Sequence, residues 1–146
     1  MHHVAIMKKS WQLIPKILSN EKTIESRWYK NRAAPWDRVQ VGDTIWFKNS
    51  GELVTAQARV GKVLQFQDFT ANEVRGLYRK YGEAIGVPKE KHAQWAKSKI
   101  GTRKHYCILM FLEKPRKVQP FGINKTGFGN ATAWLCVSNI ANIQVR

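Results

Sequence analysis

The sequence predicts an α+β fold, a mixed β-barrel of about six strands with two or three flanking helices, in one domain spanning residues 1–146. Three observations predict it. Period-two alternation of apolar residues recurs in short runs, the mark of half-buried strands. Helical spacing interrupts these runs only near residues 10–18 and 70–98. The 146 residues are 43% apolar, which suits one domain of ordinary size with a core of its own.

In chain order, Val4–Met7 is a short apolar run suited to a first strand. Ser10 is placed to cap a helix whose stripe is Trp11, Ile14, Ile17 and Leu18, with Pro15 in its first turn. Ser19-Asn20-Glu21 ends that helix, and a strand follows over Thr23–Tyr29. Along it Thr23, Glu25, Arg27 and Tyr29 share one face, and Ile24, Ser26 and Trp28 the other. A basic loop, Lys30–Arg38, leads through the turn Val41-Gly42-Asp43 to a strand at Thr44–Lys48. Beyond a hairpin loop at Asn49–Glu52, Leu53–Phe66 is a long strand in which Gly61 marks a bulge. Thr70 and Glu73 form a capping box for a helix carrying Val74, Leu77, Tyr78 and Tyr81 and stopping at Gly82. A second helix runs from near Pro88 through Trp95 to about Ser98. His105–Leu112 is nearly all apolar, as in a central strand covered on both faces. After an extended stretch at Pro115–Phe121 and a Gly-rich loop at Gly122–Ala131, the segments Trp134–Val137 and Ile140–Val145 close the sheet.

Lys and Arg number 25 against 10 Asp and Glu, a net charge of +15. Over residues 101–146 the lone acid is Glu113. No segment is a Lys/Arg tail, so the positive field belongs to the folded surface, where it attracts polyanions. Basic groups interleaved with aromatics point to nucleic acid. No apolar run approaches the ~20 residues of a membrane helix, and Lys8 and Lys9 cut short the apolar stretch near the start, against a signal peptide. Cys107 and Cys136 make neither a disulfide framework nor a zinc quartet, which points to a reducing cytoplasm. His2, His3, His92 and His105 lack metal-ligand spacing with an acid or Cys. All four are expected at the surface, and neither metal nor cofactor is expected.

The informative cluster lies between the first helix and the strand after it. Lys22 sits at the turn, and Glu25 and Arg27 share a strand face. An acceptor between two donors suits a base edge beside a phosphate, since carboxylates accept from amino groups and Arg forks onto phosphate. The same spacing also fits a local ion pair on a solvated strand face. The Glu25 carboxylate, nearer in sequence than any cation, is expected to keep Lys22 an ammonium.

Ile17-Leu18-Ser19-Asn20-Glu21-Lys22-Thr23-Ile24-Glu25-Ser26-Arg27, followed by Val41-Gly42-Asp43-Thr44-Ile45-Trp46-Phe47, resembles the ASCH domain family of the PUA-like superfamily. That family's pattern is a helix ending in I-L-x-G-x-K-T-x-E-x-R, then x-G-D-x-I-x-F on the next strand. Asn20 stands where Gly is usual, and either residue takes the left-handed conformation that ends a helix. The resemblance implies a β-barrel with a cleft beside the helix-to-strand turn, lined by Lys22, Glu25 and Arg27, and a role in binding RNA or modified nucleotides. Some relatives are amidohydrolases of acetylated cytidine, in which a Lys matching Lys22 assists a Thr matching Glu25. Here that nucleophile is absent. Others resemble ribonucleases.

The resulting expectation is an RNA-binding module, or one for another nucleic acid or nucleotide-like ligand, using a basic cleft. The alternative is a hydrolytic enzyme, a ribonuclease or acetylcytidine amidohydrolase, with Lys22 and Glu25 as candidate catalytic residues. Arg32, Arg38, Lys48 and Lys125 would add phosphate contacts. Tyr29, Trp36 (in a loop flanked by Arg32 and Arg38) and Trp134 would stack on bases. Asn124 and Asn130 accompany Lys125 in the Gly-rich loop. Trp11, Trp95 and Trp28 are expected in the core.

Overall fold

The computed structural model describes residues 1–129 and 132–145, so Asn130 lies outside the described residues. Among the described residues seven strands and three α-helices follow in chain order: β1 (His2–Met7), α1 (Leu13–Leu18), β2 (Ile24–Tyr29), β3 (Thr44–Asn49), β4 (Val54–Gln67), α2 (Ala71–Ile85), α3 (His92–Gly101), β5 (Tyr106–Ile123), β6 (Trp134–Val137) and β7 (Gln144–Val145). The strands form one curled mixed sheet in the order β2-β5-β4-β3-β1-β6, with β7 paired to the far end of β5. Only β1 and β3 run parallel; the other pairings are antiparallel. None of the described helices is long and apolar enough to cross a membrane.

The alternation seen in the sequence becomes the two sides of this sheet. Ala5, Ile45, Phe47, Ala56, Ala58, Ile108 and Met110 line the inside of the half-barrel with α1. Ile24, Trp28, Cys107 and Leu109 face outward under α2 and α3. β5 is therefore covered on both sides, as its apolar run requires. Register shifts between Val60 and Lys62, so Gly61 does mark a bulge. The β3–β4 register also shifts between Phe47 and Lys48, which pair with Ala56 and Val54 and leave Thr55 as the extra residue of β4. Lys48 is buried, at 7% exposure.

Three boundaries differ from the sequence reading. α2 carries the expected Thr70–Glu73 capping box but runs through Gly82 and ends at Gly86, whose φ is 102°. Gly82 is instead a close-packing site: a Cβ there would meet the His92 ring of α3 at 2.5 Å. Trp11 does not join the stripe of α1. Lys9–Trp11 forms a separate 3-10 turn, and Gln12, at φ 52°, breaks the chain direction before α1 begins. Ile140–Asn142 is a 3-10 turn capped by the Asn139 side chain, leaving only Gln144–Val145 as strand.

Candidate functional site

The two edges of the curled sheet, β2 and β6, approach each other without a backbone ladder between them. Arg27 of β2 crosses this seam. Its Nη1 donates to the Ala133 carbonyl (3.3 Å) and its Nη2 to the Ile6 carbonyl of β1 (3.4 Å), while the guanidinium lies 5.1 Å from the ring centre of Trp134. Outside the seam, between the 3-10 turn, β2 and the pair α2/α3, two adjoining cavities of about 250 and 420 Å³ share Trp11, Leu13, Glu25, Ser26 and Trp95.

Local geometry explains why the cluster converges there. Asn20, at φ 65°, stops α1 in the left-handed conformation expected of it. The chain then turns Lys22 inward beneath Gly86, where any Cβ would stand 3.4 Å from the Lys22 Cδ. Lys22 is 2% exposed; its Nζ donates to the carbonyls of Ile24 (2.7 Å) and Ile85 (2.5 Å) and lies 3.6 Å from Glu25 Oε1. Burial lowers the Lys22 pKa, outweighing the Glu25 charge that opposes it. The expectation that the Glu25 charge would outweigh burial is therefore corrected: two backbone carbonyls and a carboxylate 3.6 Å away do not replace a full hydration shell.

Glu25 is 3% exposed. Oε1 accepts from the Ser26 N–H (2.9 Å), but Oε2 has no hydrogen-bond partner and stands 3.9 Å from Arg27 Nη2. Trp28, at the same cavity, has an indole N–H without a partner. Buried polar groups are almost always satisfied; the residues that carry this orphan acceptor and orphan donor both line the smaller cavity, whereas two further orphans, Trp36 Nε1 and Asn49 Oδ1, lie away from it. Six cations line the two cavities, Lys8, Arg27 and Lys99 in one and Lys16, Lys22 and Lys91 in the other, with Glu25 their sole acid. Lys99 spans the rings of Trp28 and Trp95 (5.9 and 5.5 Å), and burial lowers its pKa. Trp11 stands at the mouth, 45% exposed, edge-on to Trp95 at 5.1 Å and with Lys8 over its face.

The structure thus brings together Lys22, Glu25, Arg27 and Trp134, and leaves other expected residues elsewhere. Trp134 is 3% exposed and supports Arg27 instead of offering a free face. Tyr29 is half-buried against the barrel interior beside Arg27. Trp36 is buried: its loop folds back over the barrel end, and Trp36 packs edge-on to Tyr106 at 4.9 Å. Arg32 lies outside it, over the Tyr106 ring, and Arg38 is exposed near His3 and Cys136. Lys48 and Lys125 neighbour one another, with Lys125 lining a different cavity at 123–129. Trp11, assigned to the core by sequence, instead lines the cleft; Trp28 lies in the core and Trp95 packs against it as expected, and both also form the cleft wall. Only the 3-10 turn moves Trp11 there, and no sequence signal announces it.

His3 was expected at the surface and is fully buried, because β1 lies between β3 and β6. Its Nε2 bonds Asp43 Oδ2 at 2.8 Å, and burial lowers its pKa despite that carboxylate. Asp43 is itself held below the usual carboxylate range by its bonds from His3, the Gln40 N–H and the terminal ammonium, which outweigh burial. Both folded pKa values are depressed, so the unfolded chain binds more protons and stability rises with pH. The contribution of His3 is complete above about pH 6.5 and falls as pH drops through its folded value; that of Asp43 is lost only below about pH 4. Calorimetry should accordingly give a lower Tm at pH 5.5 than at 7.5. A Tm independent of pH over that interval would contradict the assignment.

No family model and no curated protein matches the chain in sequence. Solved structures do. An ASCH protein from Zymomonas mobilis superposes with a TM-score of 0.65 over 99% of this chain and 96% of its own, at 13% identity. A point mutant of the same protein gives 0.68 over 97% and 91%, at 14% identity. The N-terminal domain of Staphylothermus marinus McrB gives 0.51 over 82% and 75%, at 15% identity. The curled sheet with its helices over the β2 seam is an α+β half-barrel architecture. More narrowly, the chain has the ASCH fold.

Proposed function

We propose that the chain binds RNA, or a nucleotide-like ligand, in the cleft beside Glu25. The observation that carries this reading is the unpartnered Glu25 Oε2 on a cleft whose lining includes six cations and three tryptophans and no second acid. In it, Arg27 and the cleft lysines neutralise phosphate, Glu25 accepts from a base amino group, and Trp11 stacks. With about five phosphate contacts to single-stranded RNA, log affinity falls against log salt with a slope near −3.5. Titrations of a labelled oligonucleotide should therefore lose roughly a hundredfold in affinity between 50 and 200 mM salt. A flat response would point to an uncharged small ligand or a protein. Arg27→Ala should weaken all sequences alike, because phosphate carries no sequence information. Glu25→Gln, which exchanges an acceptor for a donor, should change base preference more than affinity. Identical behaviour of the two would refute this division of roles.

One observation favours a second reading, hydrolysis. A general base needs a pKa near the working pH, and burial moves Lys22 in that direction at the wall of the larger cavity. Incubation with labelled RNA and with acetylated cytidine decides between the readings. Product beyond one equivalent makes the protein an enzyme, and tight binding without product leaves it a binding module.

A further inference from the structure

We propose that His3, outside the cleft, is a positioning residue that governs anion binding at Arg27 by holding Trp134, and that its protonation releases that hold. The proposal rests on the reading of the cleft as the nucleic-acid site. Asp43 accepts from Gln40 N–H at 2.9 Å and from the terminal ammonium at 3.2 Å, so it is an ionised, acceptor-only group. Its partner His3 Nε2 therefore carries the ring proton, and Nδ1 is left as an acceptor. The Trp134 Nε1–H donates to that Nδ1 at 3.0 Å. The Trp134 ring then supports the Arg27 guanidinium, and Arg27 also donates to the carbonyl of Ala133, the residue just before Trp134. A chain of contacts thus runs from a buried histidine to the cation at the cleft seam.

The link tolerates only the neutral ring. An imidazolium presents N–H groups at both nitrogens, which sets two donors face to face between Nδ1 and Trp134 Nε1. Trp134 is buried, so it cannot relieve that clash without shifting the base on which Arg27 rests. The groups that face His3 are Asp43 from the turn before β3, the terminal ammonium, Arg38 from the 30–40 loop, and Cys136 from β6, whose Sγ lies 3.4 Å from Nδ1. Asp43 favours the imidazolium, whereas burial, the ammonium and Arg38 oppose it and prevail. His2, the neighbour on β1, is engaged elsewhere, accepting from Trp46 Nε1 and from the Ile140 N–H. Acidification through the His3 titration, which burial places below the ordinary imidazole range, is then the event that breaks the chain.

The sign separates this device from ordinary electrostatics. Protonating histidines makes the protein more positive, which by itself strengthens binding to a polyanion. Here the wild type should instead lose about three- to tenfold in affinity for a labelled single-stranded RNA oligonucleotide across the His3 titration, at constant ionic strength. The variant Trp134→Phe keeps a ring under Arg27 but no indole N–H, so its affinity should stay level or rise over the same range. In the wild type, the indole N–H resonance missing from the Trp134→Phe spectrum should move with the His3 ring resonances. Parallel pH profiles for the two proteins, or an indole resonance indifferent to His3, would overturn the proposal. No RNA binding at pH 7.5 would instead sink the reading of the cleft, and this role with it. The indole titration then shows separately whether His3 holds Trp134.

Discussion

Lys22→Met should lower the Tm by on the order of 10 °C, the largest stability loss expected from a single polar side chain in this fold. Met matches the length of the stem but leaves three buried groups without their cation: the carbonyls of Ile24 and Ile85 and the Glu25 carboxylate. Breaking one partner of a buried ion pair costs roughly 3–5 kcal/mol. The same reasoning predicts partial rescue. Adding Glu25→Leu removes the stranded charge, and apolar replacement of both partners is often close to neutral. The double variant should therefore recover part of the lost Tm, the Ile24 and Ile85 carbonyls remaining unpaired, while binding no RNA. A single variant as stable as the wild type would show that Lys22 holds neither β2 nor the end of α2.

Trp11→Ala should separate binding from folding. Trp11 is the one large aromatic among the cleft residues that is substantially exposed, so truncating it opens little of the core. Stability should change by about 0.5 kcal/mol or less, as for most surface positions. Stacking on an aromatic is worth about 1–3 kcal/mol per base, so RNA affinity should fall roughly tenfold to a hundredfold. Trp36→Phe, at a buried ring far from either cavity, should leave affinity unchanged. Equal losses from both would mean that the affinity measurement reports folding.

What was legible in the sequence is what depends on near neighbours in the chain. The alternation in β2, β3 and β4, the capping box of α2, the left-handed Asn20 and the bulge at Gly61 are each set within a few residues. So is the convergence of Lys22, Glu25 and Arg27, because a helix stop and one strand face bring them to the same place. The net charge of +15 already pointed to a polyanion before any site was known.

Of the misread residues, Trp36 and His3 were decided at long range and Trp11 by its immediate neighbour. Trp36 sits in a polar, basic segment, and only the return of that segment over the barrel end buries it against Tyr106, seventy residues on. Trp11 carries helical spacing, yet one residue at positive φ turns it out of the stripe and into the cleft. His3 is polar and terminal in sequence, but burial follows from strand order, which places β6 on the far side of β1. By itself, then, the sequence determined most element types, the Lys22–Glu25–Arg27 cluster and the net positive charge, all properties of local spacing and composition. The tertiary structure alone decided which aromatic is exposed, that Lys22 loses its water, and that a buried histidine reaches Arg27 through Trp134. Burial and desolvation are set by neighbours distant in the chain, and no local pattern encodes them.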